Sequence, residues 1–435
     1  MTTQAQPIIA LLHWGDLIED FLDTIGVSFE AFCNEMTGGW MFGYIDALKL
    51  VDVRTVLFCI SARVTEPTRY IHKLTGATIC VLPAPKIYHV ARRQIPKPYA
   101  WNLNEAIGDI QGSHRRLVAI LKDMSPYLAT PLITLAKEIR REGCQAILCQ
   151  EYEYARFDVC VLLGKLIGLP VFATFQGGDF QLSRWERLLR PLTLRFCAGL
   201  IVATQTEVQR VQSKYNLPSA KLARIFNPLD ITNWQAIDRS EARTALNIPL
   251  DAQVIVYHGR IEIQRKGLDI LLDAWKQVLS DRTGKDLRLL LVGTGSDANK
   301  LHQMIAQMQL HGVLWVDEYV RDRAAIQRYL SAADVYTLPS RHEGFPVAPI
   351  EAMSCSLPIV ASDTHGMRDI LVKGEASGGL LVPCGDAIAL ALALGRILDN
   401  QAWGHELGKL GQCRVVECFS LEAIGEQLRD FLFRL

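Results

Sequence analysis

Residues 335–353 have the sequence VYTLPSRHEGFPVAPIEAM. The stretch begins with a short apolar run typical of a buried strand, and its second half has the spacing of a helix. Glu343 lies in the loop between them, and we expect Glu351 about two turns into the helix, which Pro346 and Pro349 suit at its start. The stretch therefore predicts two carboxylates, eight residues apart, that follow one strand of a sheet.

The same order of strand and helix recurs along the whole chain. Short apolar or β-branched runs alternate with longer helical patterns, which predicts parallel sheets with crossover helices. The series starts afresh after the turn-forming segment FNPLD at 226–230, so we expect two doubly wound domains that meet near residue 229. Ligands of such sheets bind beyond the carboxyl ends of the strands, and a cleft between the two domains is the expected site. The predicted strands are Ile8–His13, Thr55–Ile60, Ala77–Leu82, Ala146–Gln150, Val171–Phe175, Gly199–Ala203, Val254–His258, Arg288–Val292, Val313–Val316, Val335–Leu338, Pro358–Ala361 and Gly379–Val382.

The charge balance argues against one class of function. Among 435 residues, 46 lysines and arginines match 46 aspartates and glutamates, whereas a general nucleic-acid binder is usually strongly basic. The balance is uneven along the chain, since residues 1–228 carry 25 basic and 20 acidic side chains and residues 229–435 carry 21 and 26. We therefore expect no nucleic-acid partner.

Three features of the sequence favour a cytoplasmic protein. The apolar run at 8–12 is too short for a secretory signal. No stretch of 18 apolar residues is present, so we expect no membrane span. The 11 cysteines form no C-x-x-C pair and most lie in apolar runs, which is typical of buried thiols in a reducing compartment.

Two further segments of the second half carry charge or glycine next to a predicted strand. Gly259 and Arg260 follow one strand, and Lys266 opens the next helix, where cations and a helix N-terminus suit a diphosphate; an ordinary solvated loop is the alternative. Residues 293–298, GTGSDA, fit the dinucleotide fingerprint of an NAD-dependent oxidoreductase. They follow the second strand of their domain rather than the first, so a tight turn near the nucleotide is the better interpretation.

The carboxylates complete the pattern, because a carboxylate can accept hydrogen bonds from two neighbouring hydroxyls of a sugar or a ribose. With Glu343 and Glu351 as an E-x7-E motif and Arg260 and Lys266 as its basic pair, the sequence resembles family 4 of the retaining, GT-B-fold glycosyltransferases. The resemblance is strong over 250–435 and weak over 1–230. It implies an α/β fold of two doubly wound Rossmann-like domains that face a central cleft, with a C-terminal helix crossing back. We expect the domains at 1–228 (acceptor side) and 229–418 (donor side), and the returning helix at 419–435.

The resemblance also implies roles for individual residues. Arg260 and Lys266 would bind the donor diphosphate, Glu343 would contact the donor sugar, and these three are the expected catalytic residues. Glu351 would hold the ribose. The other expected donor-binding residues are Gly38 and Gly39 in a T-G-G loop, Gly259, Gly293, Tyr319 and Val320 near the base, and Gly344, Phe345 and Pro346 beside the sugar.

The first half offers fewer clues to the acceptor. Candidate side chains near predicted strand ends are His114, Glu151, Glu153 and Asp179. The segment 184–195 is basic and amphipathic; it could lie on an anionic membrane, but an ordinary surface helix is the more common meaning of such a pattern. The acceptor, whether small molecule, glycan or lipid, stays open.

The predicted function is transfer of a sugar from a nucleotide diphosphate donor, with UDP favoured, to an unidentified acceptor. The resemblance implies retention of anomeric configuration and no metal, and we expect no cofactor beyond the donor substrate. The alternatives are a nucleotide-sugar epimerase, a non-catalytic nucleotide-sugar binder and, with less support, an NAD-dependent oxidoreductase.

Overall fold

The computed structural model describes residues 6–36, 39–95, 113–175 and 183–433. The chain forms two compact units, Met1–Phe226 together with Ile424–Leu435, and Asn227–Ala423. Each unit has a largely parallel sheet with helices between most successive strands, so the predicted α/β class with two Rossmann-like domains is confirmed. Within the described residues, no helix is both long enough and apolar enough to cross a bilayer.

The first unit is built on an eight-stranded sheet in the order β3-β4-β2-β1-β5-β6-β7-β8 among the described residues. Only β3 runs antiparallel to its neighbour β4. The strands are β1 (Ile8–Leu12), β2 (Arg54–Ser61), β3 (Thr68–Ile71), β4 (Thr78–Pro83), β5 (Ala146–Cys149), β6 (Val171–Phe175), β7 (Gly199–Val202) and β8 (Leu222–Arg224). The helices are α1 (Ile18–Thr24), α2 (Phe29–Asn34), α3 (Gly39–Leu50), α4 (Lys86–Arg93), α5 (Ser113–Leu128), α6 (Leu132–Arg141), α7 (Ala155–Ile167), α8 (Arg184–Phe196) and α9 (Gln205–Tyr215).

The second unit has a six-stranded parallel sheet in the order β11-β10-β9-β12-β13-β14. Its strands are β9 (Gln253–His258), β10 (Leu287–Val292), β11 (Val313–Val316), β12 (Val335–Leu338), β13 (Ile359–Ser362) and β14 (Gly379–Val382). Its helices are α10 (Arg239–Ala245), α11 (Ile263–Lys266), α12 (Leu268–Asp281), α13 (Ala298–Gln307), α14 (Arg323–Ser331), α15 (Ala348–Ser354), α16 (His365–Ile370), α17 (Ala387–Asp399) and α18 (Gln401–Phe419). The final helix, α19 (Leu421–Phe433), begins after Ser420, and most of it belongs to the first unit.

Two edge strands of the first unit were not predicted from the sequence. Thr68–Ile71 and Leu222–Arg224 have four and three residues and are only partly buried, so they lack the apolar runs that predict the inner strands. The predicted position of Glu351 is also wrong, because α15 begins at Ala348 and Glu351 lies in its first turn. The segment around Pro346 stays outside the helix.

The order of strands identifies a ligand-binding edge in the sheet of the second unit. In the second unit, β9 lies between β10 and β12, so the chain departs from β9 in both directions. The crevice beyond the carboxyl ends of β9 and β12 is the topological switch point, where open α/β sheets bind their ligands. Arg260 follows β9 and Glu343 follows β12, so both lie at this edge.

Candidate functional site

Lys266 and Glu343 form a buried ion pair at the switch point of the second unit. The Lys266 Nζ atom lies 2.6 Å from Glu343 Oε1, and the Ser340 hydroxyl donates to the same oxygen over 2.6 Å. Ser340 is fully buried and Glu343 nearly so. Because an ammonium has three N–H donors, the pair uses one and leaves two for an anionic oxygen.

Glu351 is held by a histidine from the neighbouring strand. His258, the last residue of β9, lies with Nε2 at 2.8 Å from Glu351 Oε2, and its ring packs edge-on against Tyr336. The Nδ1 atom of His258 is buried without a partner among the described residues. This geometry fits a hydrogen on Nε2 that is donated to the carboxylate, which fixes one carboxylate oxygen and leaves the other to receive a ligand.

Arg260 is exposed beside this pair. Its guanidinium is 66% exposed and lies 3.0 Å from Glu262 Oε1. Its backbone is fixed by one hydrogen bond, which the Tyr257 hydroxyl donates to the Arg260 carbonyl over 2.9 Å. Burial, and then the charges of Glu343 and Glu262, raise the pKa of Tyr257, so its hydroxyl remains a donor. Arg260 thus has a hydrogen-bonded carbonyl and an exposed side chain that is paired with Glu262.

The loops that carry these cations and carboxylates are braced against each other. The Arg341 guanidinium binds both oxygens of Asp269, over 2.8 and 2.6 Å, and its backbone N–H donates to the Arg265 carbonyl over 2.9 Å. At Gly267, where φ is +63°, a Cβ would lie 2.0 Å from the Pro339 carbonyl oxygen. The segment that carries Lys266 therefore contacts the segment that carries Ser340 and Glu343 at backbone distance.

The G-x-G segment after β10 has a packing role. A Cβ on Gly293 would lie 2.1 Å from the Gly259 carbonyl oxygen, and one on Gly295 would lie 2.3 Å from the Ile261 carbonyl oxygen. The Asp297 carboxylate accepts from the Ile263 N–H, at the start of α11, over 2.8 Å. The glycines bring this turn against the loop that carries Arg260, and no further group is needed to explain them.

The backbone after Glu343 is fixed by the next strand–helix turn. A Cβ on Gly366, near the start of α16, would lie 2.1 Å from the Gly344 carbonyl oxygen and 2.8 Å from Pro346 Cδ. Phe345 is buried, with its ring 6.0 Å from that of Phe419. Residues 344–346 therefore have a defined backbone course next to Glu343.

The predicted base-binding residues follow β11. Tyr319 is 69% exposed, and Val320 is partly buried. Near them the Trp315 ring stacks on His302 with centroids 3.8 Å apart, and its indole N–H donates to the Gly293 carbonyl over 2.9 Å. An exposed aromatic side chain beside a fixed turn can stack on a planar ligand.

The candidates of the first unit are the donor-binding Gly38 and Gly39 and the acceptor-side residues, and only some of them lie within the described residues. Gly38 and Asp179 lie outside the described residues; Gly39 begins α3, and His114 lies in the first turn of α5. Glu151 follows β5 with φ of +64°, in the left-handed region that a non-glycine residue rarely adopts.

Glu153, from the same loop, is buried in an ion pair of the first unit. The Arg210 guanidinium donates to it over 2.7 Å and also binds Glu207. Burial raises the pKa of Glu153, and Arg210 opposes the shift. Glu153 is therefore held by an arginine rather than presented freely beyond its strand.

The second-unit side chains together can bind a phosphorylated sugar. Lys266 and Arg260 offer positive charge, Glu343 and Glu351 offer carboxylate acceptors, and all four follow β9 or β12. Across the described ranges, no group of three or more His, Cys, Asp or Glu side chains is arranged to hold a metal ion. The sequence did not identify His258 or Ser340 as partners of the two carboxylates. Their only signals were their positions, at the end of β9 and three residues before Glu343.

The second half of the chain also resembles known proteins. Residues 252–400, which include all four of these charged side chains, match the family described as glycosyl transferases, group 1. The D-inositol 3-phosphate glycosyltransferase of a Nocardioides species is 29% identical over 245 residues, which are 53% of this chain and 52% of that protein. The phosphatidyl-myo-inositol mannosyltransferase of Mycobacterium leprae is 34% identical over 236 residues, 53% of this chain and 58% of that one. The chain thus matches roughly half the length of these curated relatives.

Solved structures resemble the whole chain at lower identity. Anabaena HepE, crystallised in complex with UDP, has a TM-score of 0.69 and 18% identity and covers 99% of this chain and 100% of its own. Sucrose-phosphate synthase from Thermosynechococcus elongatus has a TM-score of 0.65 and 21% identity, with 97% of both chains covered. These likenesses show that the fold is that of GT-B glycosyltransferases.

Proposed function

We propose that the protein is a glycosyltransferase that moves a sugar from a nucleotide diphosphate donor to an acceptor. The observation that carries the proposal is the cluster at the switch point of the second unit. There Lys266 is paired with Glu343 over 2.6 Å, His258 orients Glu351 over 2.8 Å, and Arg260 is exposed beside them. The match of residues 252–400 to glycosyl transferases, group 1, supports the same assignment.

The two cations act on the donor diphosphate. When the bond between sugar and diphosphate breaks, the leaving nucleoside diphosphate gains negative charge. The Lys266 ammonium is already held by Glu343, whose carboxylate also accepts from Ser340, so it stabilises that charge with little reorganisation. Arg260 has an exposed guanidinium, paired with Glu262 on one side, whose planar fork can bind two phosphate oxygens at once.

The two carboxylates act on hydroxyl groups. Glu343, with the backbone N–H groups of Gly344 and Phe345, faces the donor sugar, and Glu351 accepts from the ribose. Tyr319 and Val320 bind the base, and Gly38 and Gly39 stay donor-binding residues on the resemblance alone. These assignments rest on the family resemblance together with the positions of Glu343 and Glu351.

We further propose that the transfer retains the anomeric configuration and needs no metal. Two cations near one diphosphate can neutralise it, and the proton of the acceptor hydroxyl then passes to the departing phosphate oxygen on the same face. A UDP-sugar is the first donor to test, because HepE is a structural neighbour that was crystallised with UDP. The acceptor class is open; the curated relatives named above act on inositol-containing molecules.

The alternatives make different predictions about ligands. An NAD-dependent oxidoreductase depends on Gly293 and Gly295, yet both glycines are explained by their contacts with the backbone at Gly259 and Ile261. An epimerase would change the donor without an added acceptor. A non-catalytic binder would be stabilised by the donor and release no nucleoside diphosphate.

A panel of UDP-, GDP- and ADP-sugars tests the proposal, with NAD as the competing ligand. We expect one nucleotide sugar to raise the unfolding temperature and to release its nucleoside diphosphate slowly by hydrolysis, faster once an acceptor is added. Product anomers resolved by NMR test retention, and activity after chelation tests metal independence. Stabilisation by NAD alone, or by no nucleotide sugar, would overturn the assignment.

A further inference from the structure

Helix α8 (Arg184–Phe196) of the first unit exposes several large apolar side chains and buries an arginine, unlike an ordinary surface helix. Its buried residues are Glu186, Arg190 and Leu194. Leu188 is 71% exposed and Leu192 is 52% exposed, whereas Arg190 is fully buried. An ordinary surface helix turns its leucines to the core and its arginines to solvent.

Polar contacts fix this orientation. Ser183 and Glu186 form a capping box, in which each side chain accepts from the backbone N–H of the other residue, over 3.2 and 2.7 Å. The buried Arg190 guanidinium donates to Asp158 of α7 over 3.0 Å, and the Thr193 hydroxyl donates to the same carboxylate over 2.5 Å. Rotation of the helix to bury its leucines would break the buried contact between Arg190 and Asp158, so this contact opposes it.

The exposed arc of α8 is divided into two stripes. At 3.6 residues a turn, Leu188, Leu192, Trp185 and Phe196 lie along one side of it. Along the other side lie Arg184, Arg187 and Arg195, all exposed. None of these three arginines is paired with a carboxylate in the described part of the chain, and the helix's one carboxylate, Glu186, is on the opposite face.

The neighbouring helix α7 extends the same surface. Helices α7 and α8 pack together, and Lys165 Nζ of α7 lies 3.7 Å above the ring of Phe196. On either side of Lys165, in helical spacing, Leu162 and Leu166 are 57% and 70% exposed. We name Trp185, Leu188, Leu192, Phe196, Leu162 and Leu166 the apolar stripe.

We propose that the apolar stripe and its arginines bind the surface of an anionic lipid bilayer. Leucine, phenylalanine and tryptophan side chains on one face of a helix enter the boundary between headgroups and acyl chains, and arginines beside them bind lipid phosphates. The helix has 13 residues, so it lies along the surface rather than through it. This inference stands on α7 and α8 and does not depend on the proposed function.

Charge favours a bilayer over a protein partner. The apolar stripe lies on the convex surface of a helix, next to a row of three arginines. The lipid headgroups of an anionic membrane can rearrange to bring negative charge to each arginine. Residues 1–228 also carry five more basic than acidic side chains, 25 against 20. Specific protein interfaces are instead depleted of charge at their centre and match a shaped counterpart.

Flotation of the full chain with vesicles tests the proposal. We expect binding to vesicles of phosphatidylcholine mixed with phosphatidylglycerol, and weaker binding to phosphatidylcholine alone. Replacing the arginines, as R184Q, R187Q and R195Q together, should weaken partitioning by about fivefold for each charge and remove most of its salt dependence. The pair L188N and L192N should release the protein from both kinds of vesicle.

A matched control is available in the second unit. Ile388 and Leu392 have the same four-residue spacing in α17 and are 69% and 62% exposed, so I388N with L392N should leave vesicle binding unchanged. The proposal would be overturned if both double variants lost vesicle binding equally. It would also be overturned if the unaltered chain did not float with the vesicles. Without lipid, the unaltered chain could form dimers at high concentration that the L188N and L192N pair abolishes. That result would overturn the proposal and assign the apolar stripe to a second copy of the chain.

Discussion

At the scale of single side chains, Lys266 has the most direct predicted effect on the proposed reaction. Its ammonium lies 2.6 Å from Glu343 Oε1 and keeps two N–H donors for a phosphate. We expect Lys266→Ala to lower kcat/KM for nucleoside diphosphate release by about 10²–10³-fold, as when one donor to a developing anion is removed. Lys276→Ala removes an exposed lysine of α12 and should leave kcat/KM unchanged.

Loss of fold must be separated from loss of chemistry in this experiment. Lys266→Ala leaves the buried Glu343 carboxylate without its ammonium, which destabilises the second unit. The double variant Lys266→Met with Glu343→Gln removes both charges and should recover the unfolding temperature without recovering activity. Activity within twofold of the unaltered enzyme in Lys266→Ala would contradict the proposed role.

Asp16, after β1 in the first unit, gives a prediction about pH. Burial raises its pKa from 3.8 to about 6, although Arg156 and Arg92 oppose the shift. The unfolded chain loses this proton near pH 4 and the folded chain near pH 6. The stabilisation from protonated Asp16 is therefore complete below the unfolded pKa and is lost as the pH rises through about 6. At about 1.4 kcal/mol per pH unit, that loss is about 3 kcal/mol.

Asp16→Asn removes the titration and keeps one of the two oxygens that accept from Tyr88 and Tyr154. Urea unfolding of both proteins between pH 4 and 8 measures the difference in free energy of unfolding. We expect the variant to gain stability relative to the unaltered chain as the pH rises, with a plateau above about pH 7. A difference that does not vary with pH would show that Asp16 has the same pKa in both states.

Sequence and structure agree unevenly at this scale. Glu343 and Glu351 could be identified because their spacing and the strand before them are local in sequence. Their partners could not, because His258 acquires its role only when β9 lies next to β12, and the Ser340 hydroxyl reaches Glu343 only through the turn that follows β12. A lone histidine at a strand end is more often a packed core residue than a positioning one, and nothing in the sequence distinguishes the two.

At the scale of elements, the joint between α11 and the loop after β12 controls where Lys266 lies. Gly267 has φ of +63°, and a Cβ there would lie 2.0 Å from the Pro339 carbonyl oxygen. Gly267→Ala must therefore push the two backbones apart. We expect weaker binding of the nucleoside diphosphate and a fall in kcat of up to about a hundredfold, as for a displacement near 1 Å.

Gly284 is the matched control for that joint. Its φ is +84°, but nothing lies within 4 Å of the position of a Cβ. Gly284→Ala thus has the left-handed strain, about 1–2 kcal/mol, without the clash. Calorimetric titration and unfolding temperature for both variants separate the two effects. Equal binding by both variants would mean that the approach to Pro339 does not position Lys266.

The inner strands were predictable because parallel strands buried on both faces are continuous apolar runs. The buried face of α8 was not predictable, because amphipathic spacing shows that a helix has two faces but not which one is buried. That choice depends on Asp158 of α7, which pairs with Arg190 from a position 32 residues earlier in the chain. The sequence pattern favoured an ordinary surface helix, and the structure adds which of its residues are buried.

At the scale of the whole molecule, the chain passes from one unit to the other twice, near residue 227 and near residue 424. The two passages are linked inside the second unit, where the Leu229 N–H donates to the Phe419 carbonyl over 2.7 Å and Leu229 bridges to Ser420. Beyond Ser420, α19 belongs mainly to the first unit: a Cβ on Gly425 would lie 2.3 Å from the Ala47 carbonyl oxygen, and Phe431 packs edge-on against Phe172 of β6. Two consecutive helices, α18 and α19, therefore stabilise different units.

Leucine-to-alanine variants in these two helices test whether the units are stabilised separately. Leu428 in α19 is fully buried and Leu407 in α18 is 2% exposed, so each variant should cost about 2–5 kcal/mol locally. By hydrogen exchange, Leu428→Ala should reduce protection in β6 and β7 and leave β12 and β13 unchanged, because α19 contacts the first sheet. Leu407→Ala should do the reverse, because α18 packs on α15 of the second unit. Equal loss of protection in both sheets from either variant would instead show that the 435 residues unfold as one cooperative body.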